Sequence, residues 1–268
     1  MMYEICAQTD QGLVRKNNED AFAFDAQTGL CLLADGMGGY NAGEVASCMA
    51  IAFLHRELAS WLSRTGSRAS TQALRHTMDA CANDINYAIY RAARANPDYA
   101  GMGTTLVVGV FLGSQLVLGH VGDSRCYRLR GQRLAQITKD HSMLQEQMDA
   151  GLITPEQAST SPHRNLITRA LGVEREVAIE INSHKVKPGD VYLMCSDGLS
   201  DMVNHSAIAA VLNAAGPLEA KATALITLAN QGGGRDNISV LLAHAAEGER
   251  KRRLPPRRMG AWPHDPEI

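Results

Sequence analysis

The chain has 268 residues, of which 45% are hydrophobic and 20% charged. That is enough apolar material for a buried core in one large domain or two small ones, and too much for a mostly disordered protein. Its 26 basic and 28 acidic side chains, a formal net charge of −2, exclude a nucleic-acid surface covering the whole molecule.

Tyr3 to Gln8 and Ala21 to Asp25 are predicted as short strands around a polar stretch running from Thr9 to Asp20. No hydrophobic pattern explains that stretch, so Arg15, Glu19 and Asp20 are candidate binding residues, set against the reading of an ordinary solvated loop. The apolar run Leu30 to Ala34 then stops at Asp35-Gly36-Met37-Gly38-Gly39, which reads as a buried strand ending in an acid with bare backbone beside it. A carboxylate and a glycine carbonyl can together reach a hard cation such as Mg²⁺ or Mn²⁺. Asp-Gly is also the commonest turn dipeptide, so this motif gains weight only by repetition.

Ala42 to Ser63 carries apolar residues at helical spacing, with Val45, Met49, Ala52, Phe53, Leu58 and Leu62 inward. Ser70 to Ala95 repeats the pattern, with Ser70 as N-cap and Leu74, Met78, Cys81, Ile85 and Ile89 on one stripe. Strands are predicted over Thr104–Leu112, Gln115–Val121, Arg125–Leu129 and Arg133–Ile137. Helices in succession followed by strands in succession imply an α+β fold with antiparallel sheet.

From Ser142 to Gly172 the pattern is irregular: a helix to Ala150, then a second opened by Thr154-Pro155-Glu156-Gln157 at capping-box spacing. Val177–Asn182 and Val191–Ser196 read as strands joined by a turn at Lys187-Pro188-Gly189-Asp190, where Asp190 is taken as turn chemistry only. Helices at Ser206–Ala215 and Pro217–Asn230 precede a last strand, Asn237–His244. Residues 247–268 are basic and without apolar period, and are predicted to form a disordered tail, while residues 1–246 form the domain.

The repetition is now visible. Asp123 follows Leu116–Val121, Asp197 and Asp201 follow Val191–Ser196, and Asp236 precedes the last strand. Strand-end acids that converge on one sheet edge repel each other unless cations neutralise them. Carboxylates without clustered His or Cys favour Mg²⁺ or Mn²⁺ over zinc. The six cysteines form no Cys-x-x-Cys pair and read as reduced, buried hydrophobes. There is no Cys-x5-Arg loop, P-loop or His-Glu-x-x-His motif. Glu4 and Asp10 stand where a signal peptide would be apolar, and no apolar run approaches the ~18 residues of a membrane span, so a cytoplasmic protein is expected.

Arg15 to Asp20, Asp35-Gly36-Met37-Gly38-Gly39, Gly103-Thr104-Thr105, Gly122-Asp123-Ser124-Arg125, Ser196-Asp197-Gly198-Leu199 and Asp236-Asn237 occur in one order across roughly residues 3 to 245. In this the chain resembles the metal-dependent Ser/Thr protein phosphatases of the 2C type, bacterial branch. The resemblance implies a four-layer α-β-β-α sandwich and a Mn²⁺ or Mg²⁺ centre of two core ions and a third, weaker one. It implies that Asp35 bridges the two core ions, that Asp197 and Asp236 complete the first, and that the Gly36 carbonyl reaches the second. Asp123, with Asp197 and Asp201, would bind the third ion. Glu19 and Asp20 would sit nearby, acting through bound water or by orienting neighbours, and Arg15 would clamp the substrate phosphate. Activated water would attack phosphorus directly, without a phospho-enzyme, and residues 143–171 would form a flap beside the site. Met37 stands where animal relatives have the His thought to protonate the leaving group, so that acid must lie elsewhere. The implied function is dephosphorylation of phosphoserine and phosphothreonine on proteins, reversing a bacterial Ser/Thr kinase. The competing readings are an inactive module that binds phosphoproteins and a small-molecule phosphoesterase.

Overall fold

The computed structural model describes residues 1–39, 42–154, 157 and 166–246. The expected basic tail and most of the second helix expected after Thr154 lie outside the described residues, as does part of the expected flap. At the start of that helix, the Thr154 N–H donates to Gln157 Oε1 and the Gln157 N–H to Thr154 Oγ1, the reciprocal pair of a capping box.

Two antiparallel sheets are built from β1 (Met2–Asp10), β2 (Asp20–Asp25), β3 (Leu30–Met37), β4 (Gly103–Thr104), β5 (Leu106–Leu112), β6 (Gln115–Val121), β7 (Arg125–Arg130), β8 (Arg133–Gln136), β9 (Glu180–Lys185), β10 (Val191–Cys195) and β11 (Ile238–Ala246). One sheet has the order β1-β11-β10-β7-β8 and the other β2-β3-β5-β6-β9, with β4 paired to β3. Alternation along β3 explains the layering. Cys31 and Leu33 pack with Leu118, Met194 and Leu241 between the sheets, whereas Leu30, Leu32 and Ala34 pack outward with α1 (Ala42–Thr65) and α2 (Thr71–Ala95). The far face of the other sheet is covered by α5 (His205–Asn213) and α6 (Leu218–Gln231), whose Ile208, Leu212, Ala222 and Leu225 meet Leu193, Val240 and Leu242. A strand covered on both faces is apolar throughout, which is why Leu30 to Ala34 shows no alternation in sequence. Two shorter helices, α3 (Met143–Asp149) and α4 (Asp197–Ser200), complete the described chain.

The α+β sandwich is as expected, and Ser70 caps α2 by accepting from the Ala73 N–H. Several local expectations are corrected. β3 does not stop at Asp35: Gly36 and Met37 pair with Thr104 and Gly103 of β4, so no turn forms at Asp35-Gly36. The strand expected at Val177 begins at Glu180, opposite His120 near the end of β6, and Val177 and Ile179 pack on the helical layer instead. The inward face of α1 is centred on Ala46, Ala50, Leu54 and Leu58, with Val45, Met49 and Phe53 at its margins and Ala52 exposed. Small residues let the helix approach β3 closely, and a stripe chosen by side-chain size misses that. Cys48 is exposed while the other five cysteines are buried.

Candidate metal centre

The pairing of β2 with β3 sets Asp20 directly across from Asp35. Facing residues of an antiparallel pair project to the same side, so these two acids lie together. The second sheet reaches the same edge through Ser196, at the end of β10 and immediately before Asp197. Its Oγ donates to Asp20 Oδ2 at 2.8 Å and accepts from the Ser239 N–H at 2.9 Å. Thr105 is the other link. The Asp35 N–H donates to Thr105 Oγ1 at 3.0 Å, the Thr105 N–H returns to the Asp35 carbonyl at 2.8 Å, and Thr105 Oγ1 lies 2.8 Å from Ser124 Oγ, beside Asp123.

The polar stretch before β2 is held by Asn237. Its amide donates to the carbonyls of Gln11 and Asn17, and its Oδ1 accepts from the Glu19 N–H at 2.8 Å. Two glycines are required by close approach. A Cβ on Gly36 would overlap the Gly43 carbonyl and come within 2.7 Å of the Glu19 carbonyl, and one on Gly198 would overlap the carbonyl of Asn237.

These elements bring Arg15, Glu19, Asp35, Gly36, Asp197 and Asp236 around one cleft of about 390 Å³, closed on one side by Met37, Leu166 and Ile167. Asp20 and Asp123 are buried behind it. Asp201 follows α4, its N–H bonded to the Asp197 carbonyl at 2.8 Å, and its charge acts on both Asp123 and Asp197. The turn that carries Asp123 is clamped by His141, whose Nδ1 accepts from the Gly122 N–H at 3.1 Å and whose N–H donates to the Gly122 carbonyl at 2.9 Å. Thr105, Ser196, Asn237 and His141 were not singled out from sequence as site residues. Thr105, Ser196 and Asn237 lie within the motifs Gly103-Thr104-Thr105, Ser196-Asp197-Gly198-Leu199 and Asp236-Asn237, whereas nothing in the sequence pointed to His141.

The electrostatics are unfavourable without a ligand. Burial, then the charges of Asp20, Asp197, Asp123 and Asp236, push Asp35 well above the ordinary carboxylate range. Burial and the charges of Asp123, Asp236 and Asp201 do the same to Asp197. Burial raises Asp20 and Asp123 to about 6. Asp20 Oδ1 and Asp123 Oδ1 are buried and have no hydrogen-bond partner. Asp123 feels the charge of Arg125, but the guanidinium itself forks onto Asp140, with Nη2 2.6 Å from Oδ2 and Nε 2.9 Å from the same oxygen. Arg15 does approach the cluster, donating from Nη2 to Asp236 Oδ2 at 2.6 Å. Repelling acids with orphaned oxygens fit hard divalent cations, which take oxygen ligands and supply the missing charge.

A second group of ligand-type side chains is not equivalent. His120, His141 and Glu180 bring one ligand atom each within 4.8 Å of the others. The Gly122 N–H already donates to His141 Nδ1 at 3.1 Å, and Arg169 Nη1, a donor, stands 3.2 Å from Nε2, so both ring nitrogens have partners and a cation stands at the one that faces Glu180. Burial lowers His141 to about 4, keeping it neutral.

Fold and site together define a class: the chain belongs to the protein phosphatase 2C family, whose pattern matches residues 13–231. Among similar proteins is the serine/threonine protein phosphatase PstP of Mycobacterium tuberculosis, 42% identical over 247 residues. That alignment covers 92% of this chain and 46% of the mycobacterial one, so the chain spans about half the length of this relative. The serine/threonine phosphatase Stp of Listeria innocua is 37% identical over 238 residues, 88% of this chain and 93% of that protein. The crystal structure of the PstP catalytic domain in complex with two manganese ions superposes with a TM-score of 0.80 at 41% identity, covering 92% of this chain and 99% of that one.

Proposed function

We propose that this chain is a metal-dependent protein-serine/threonine phosphatase acting on phosphorylated proteins in the cytoplasm, opposing a Ser/Thr kinase. The observation that carries the reading is the cluster of buried and half-buried, mutually repelling carboxylates at one sheet edge, in a chain of this family. In this assignment Asp35, Asp197, Asp236 and the Gly36 carbonyl hold two Mn²⁺ or Mg²⁺ ions, and Asp123 with Asp201 and Asp197 holds a third. When bound, such ions lower the pKa of water and offset the charge of a phosphate ester.

The chain's own groups do the positioning. Ser196 and Thr105 fix the acids from opposite sides, one through Asp20 and one through the Asp35 backbone. Glu19 stands beside Gly36 and Gly43 with its pKa raised by burial. Arg15 is anchored by one nitrogen on Asp236 with about half of its side chain exposed, leaving further donors of its planar fork for a phosphate. Met37 lines the cleft and has no proton to give. We assign residues 1–246 to the catalytic domain and 143–171 to a flap beside the cleft. Free cysteines support a reducing compartment, and no helix among the described residues is long and apolar enough to cross a membrane.

The test is phosphate release from phosphoserine and phosphothreonine peptides with and without Mn²⁺, in parallel with nucleotides and sugar phosphates. Turnover of the peptides alone supports the proposal. Turnover of the small molecules alone makes the chain a small-molecule phosphoesterase, and binding without turnover makes it an inactive recognition module.

A further inference from the structure

Beside the acid cleft lies a larger cavity of about 640 Å³. Met37 and Ile167 line both, so the two are separated only by the thickness of those side chains. Ala170, Val173, Val177 and Ala178 give it an apolar wall, and Asn83, Thr168, Arg169, Glu174 and Glu176 also line it. Arg169 Nη1 is turned to the Ala178 carbonyl and His141 Nε2, 3.2 Å from each, so two carboxylates face one engaged guanidinium. Nothing in the chemistry proposed above uses it.

The wall is a built structure. Asn86 of α2, fully buried, donates to the carbonyls of Glu174 and Arg175 at 3.1 Å each and accepts from the Gly172 N–H at 2.8 Å. Leu171 and Thr104 exchange backbone hydrogen bonds at 2.9 and 3.0 Å. Gly172 has φ +86, and a Cβ there would overlap Ile89. Upstream, the Thr168 N–H donates to the His141 carbonyl at 2.9 Å. A segment tied at both ends holds its cavity open at little further entropic cost when a ligand enters. Val173 nevertheless remains 54% exposed, an apolar side chain on the cavity's apolar wall.

We infer that this cavity is a specificity subsite of the phosphatase, receiving a bulky apolar side chain one to three residues from the phosphorylated residue, with a basic residue beside it. The inference rests on the phosphatase reading of the adjoining cleft. An extended peptide advances about 3.3 Å per residue, so a chain whose phosphate sits over Asp35 passes the Met37 and Ile167 saddle within that number of residues. The apolar lining takes the side chain, and the Glu174 and Glu176 carboxylates favour a cationic neighbour over an anionic one.

The experiment uses the full chain with Mn²⁺ and four phosphothreonine peptides, carrying Leu or Ala at the second position from the phosphothreonine and Arg or Asp beside it. Binding of the matching non-hydrolysable phosphonate peptides is followed by fluorescence anisotropy. The expected result is a kcat/KM on the order of 10-fold higher for Leu-Arg than for Ala-Asp, the scale of one buried side chain, with the same order in binding. Val173→Asp, at an exposed position, and the double variant Glu174→Lys with Glu176→Lys should reduce the ratio to near one. Rates and affinities within about twofold for all four peptides, or a ratio unchanged in the variants, would overturn the proposal. So would a preference that emerges only when residues 247–268 are removed, which would assign the cavity to the chain's own basic segment. No turnover of any peptide or aryl phosphate, with the binding preference intact, would count against the phosphatase reading alone.

Discussion

Two carboxylates withdrawn from solvent lie at the two ends of β10, Asp190 buried and Asp197 half-buried, and they meet the cost of that charge differently. Asp190, before the strand, is almost fully buried and accepts from Arg130 Nε at 2.8 Å, Arg130 Nη2 at 2.6 Å and the Lys187 N–H at 2.8 Å. Burial works to raise its pKa, yet these donors hold it below the ordinary value. Asp197, after the strand, is half-buried in the cleft, where burial and the charges of Asp123 and Asp236 push it far upward. One site carries its counter-charge in the sequence. The other leaves it to be supplied, which is the physical content of a metal site.

Loss of charge at the two sites should have opposite consequences. Asp35→Asn should lower Mn²⁺-dependent turnover of an aryl phosphate by more than 100-fold, on the order of 2.7 kcal/mol of barrier, while raising the thermal midpoint of the metal-free protein by removing one repelling charge. A variant retaining more than about a tenth of the rate would remove Asp35 from the site. Asp190→Asn should do the reverse, leaving the turnover of folded protein near normal and costing about 2 kcal/mol of stability in urea unfolding, because the half-buried Arg130 loses charge-assisted hydrogen bonds. A stable Asp190 variant would mean that Arg130 finds water or another acceptor.

Smaller effects sharpen the acidic end. Asp123→Ala should keep the high-affinity phase of Mn²⁺ binding and lose the low-affinity one, with turnover reduced roughly 10-fold and a higher Mn²⁺ requirement. Identical titrations for variant and wild type would return Asp123 to turn chemistry. Arg15→Ala should raise KM by about 10-fold with kcat changed less, since a phosphate clamp acts in ground and transition state alike. Steady-state kinetics reads both, and a collapsed kcat at constant KM would contradict it.

How much of this was legible in the sequence follows from the range of each signal. The acids stood out because Asp35, Asp123, Asp197 and Asp236 border apolar runs, and α2 stood out because Ser70 and the Leu74–Ile89 stripe are local. The supports were hidden because their partners are distant. Ser196 bonds Asp20 across 176 positions, Asn237 bonds Glu19 across 218, and Asp190 finds Arg130 60 positions away. Asp190, which precedes its strand, was separable in sequence from Asp35, which ends an apolar run, but its role is more than the turn chemistry expected, because it also pairs with Arg130. The cation that Asp190 pairs with is visible only in the tertiary structure. The continuation of β3 through Met37 was equally hidden, since it depends on the two-residue strand Gly103–Thr104.

The central claim is that the edge holding Asp35, Asp20, Asp123 and Asp197 requires cations, and calorimetric titration of the metal-free protein with Mn²⁺ at pH 6 tests it most directly. Asp20 and Asp123 are raised from 3.8 to about 6, so at that pH the folded chain holds protons that the unfolded chain has released. Metal-free stability should therefore fall as pH rises from about 4 through 6, and Mn²⁺ should displace those protons. The account predicts saturable binding of at least two ions per chain, with proton release seen as a buffer-dependent heat, and loss of the tight phase in Asp35→Asn. An absence of saturable binding, or binding identical in the Asp35 variant, would contradict it.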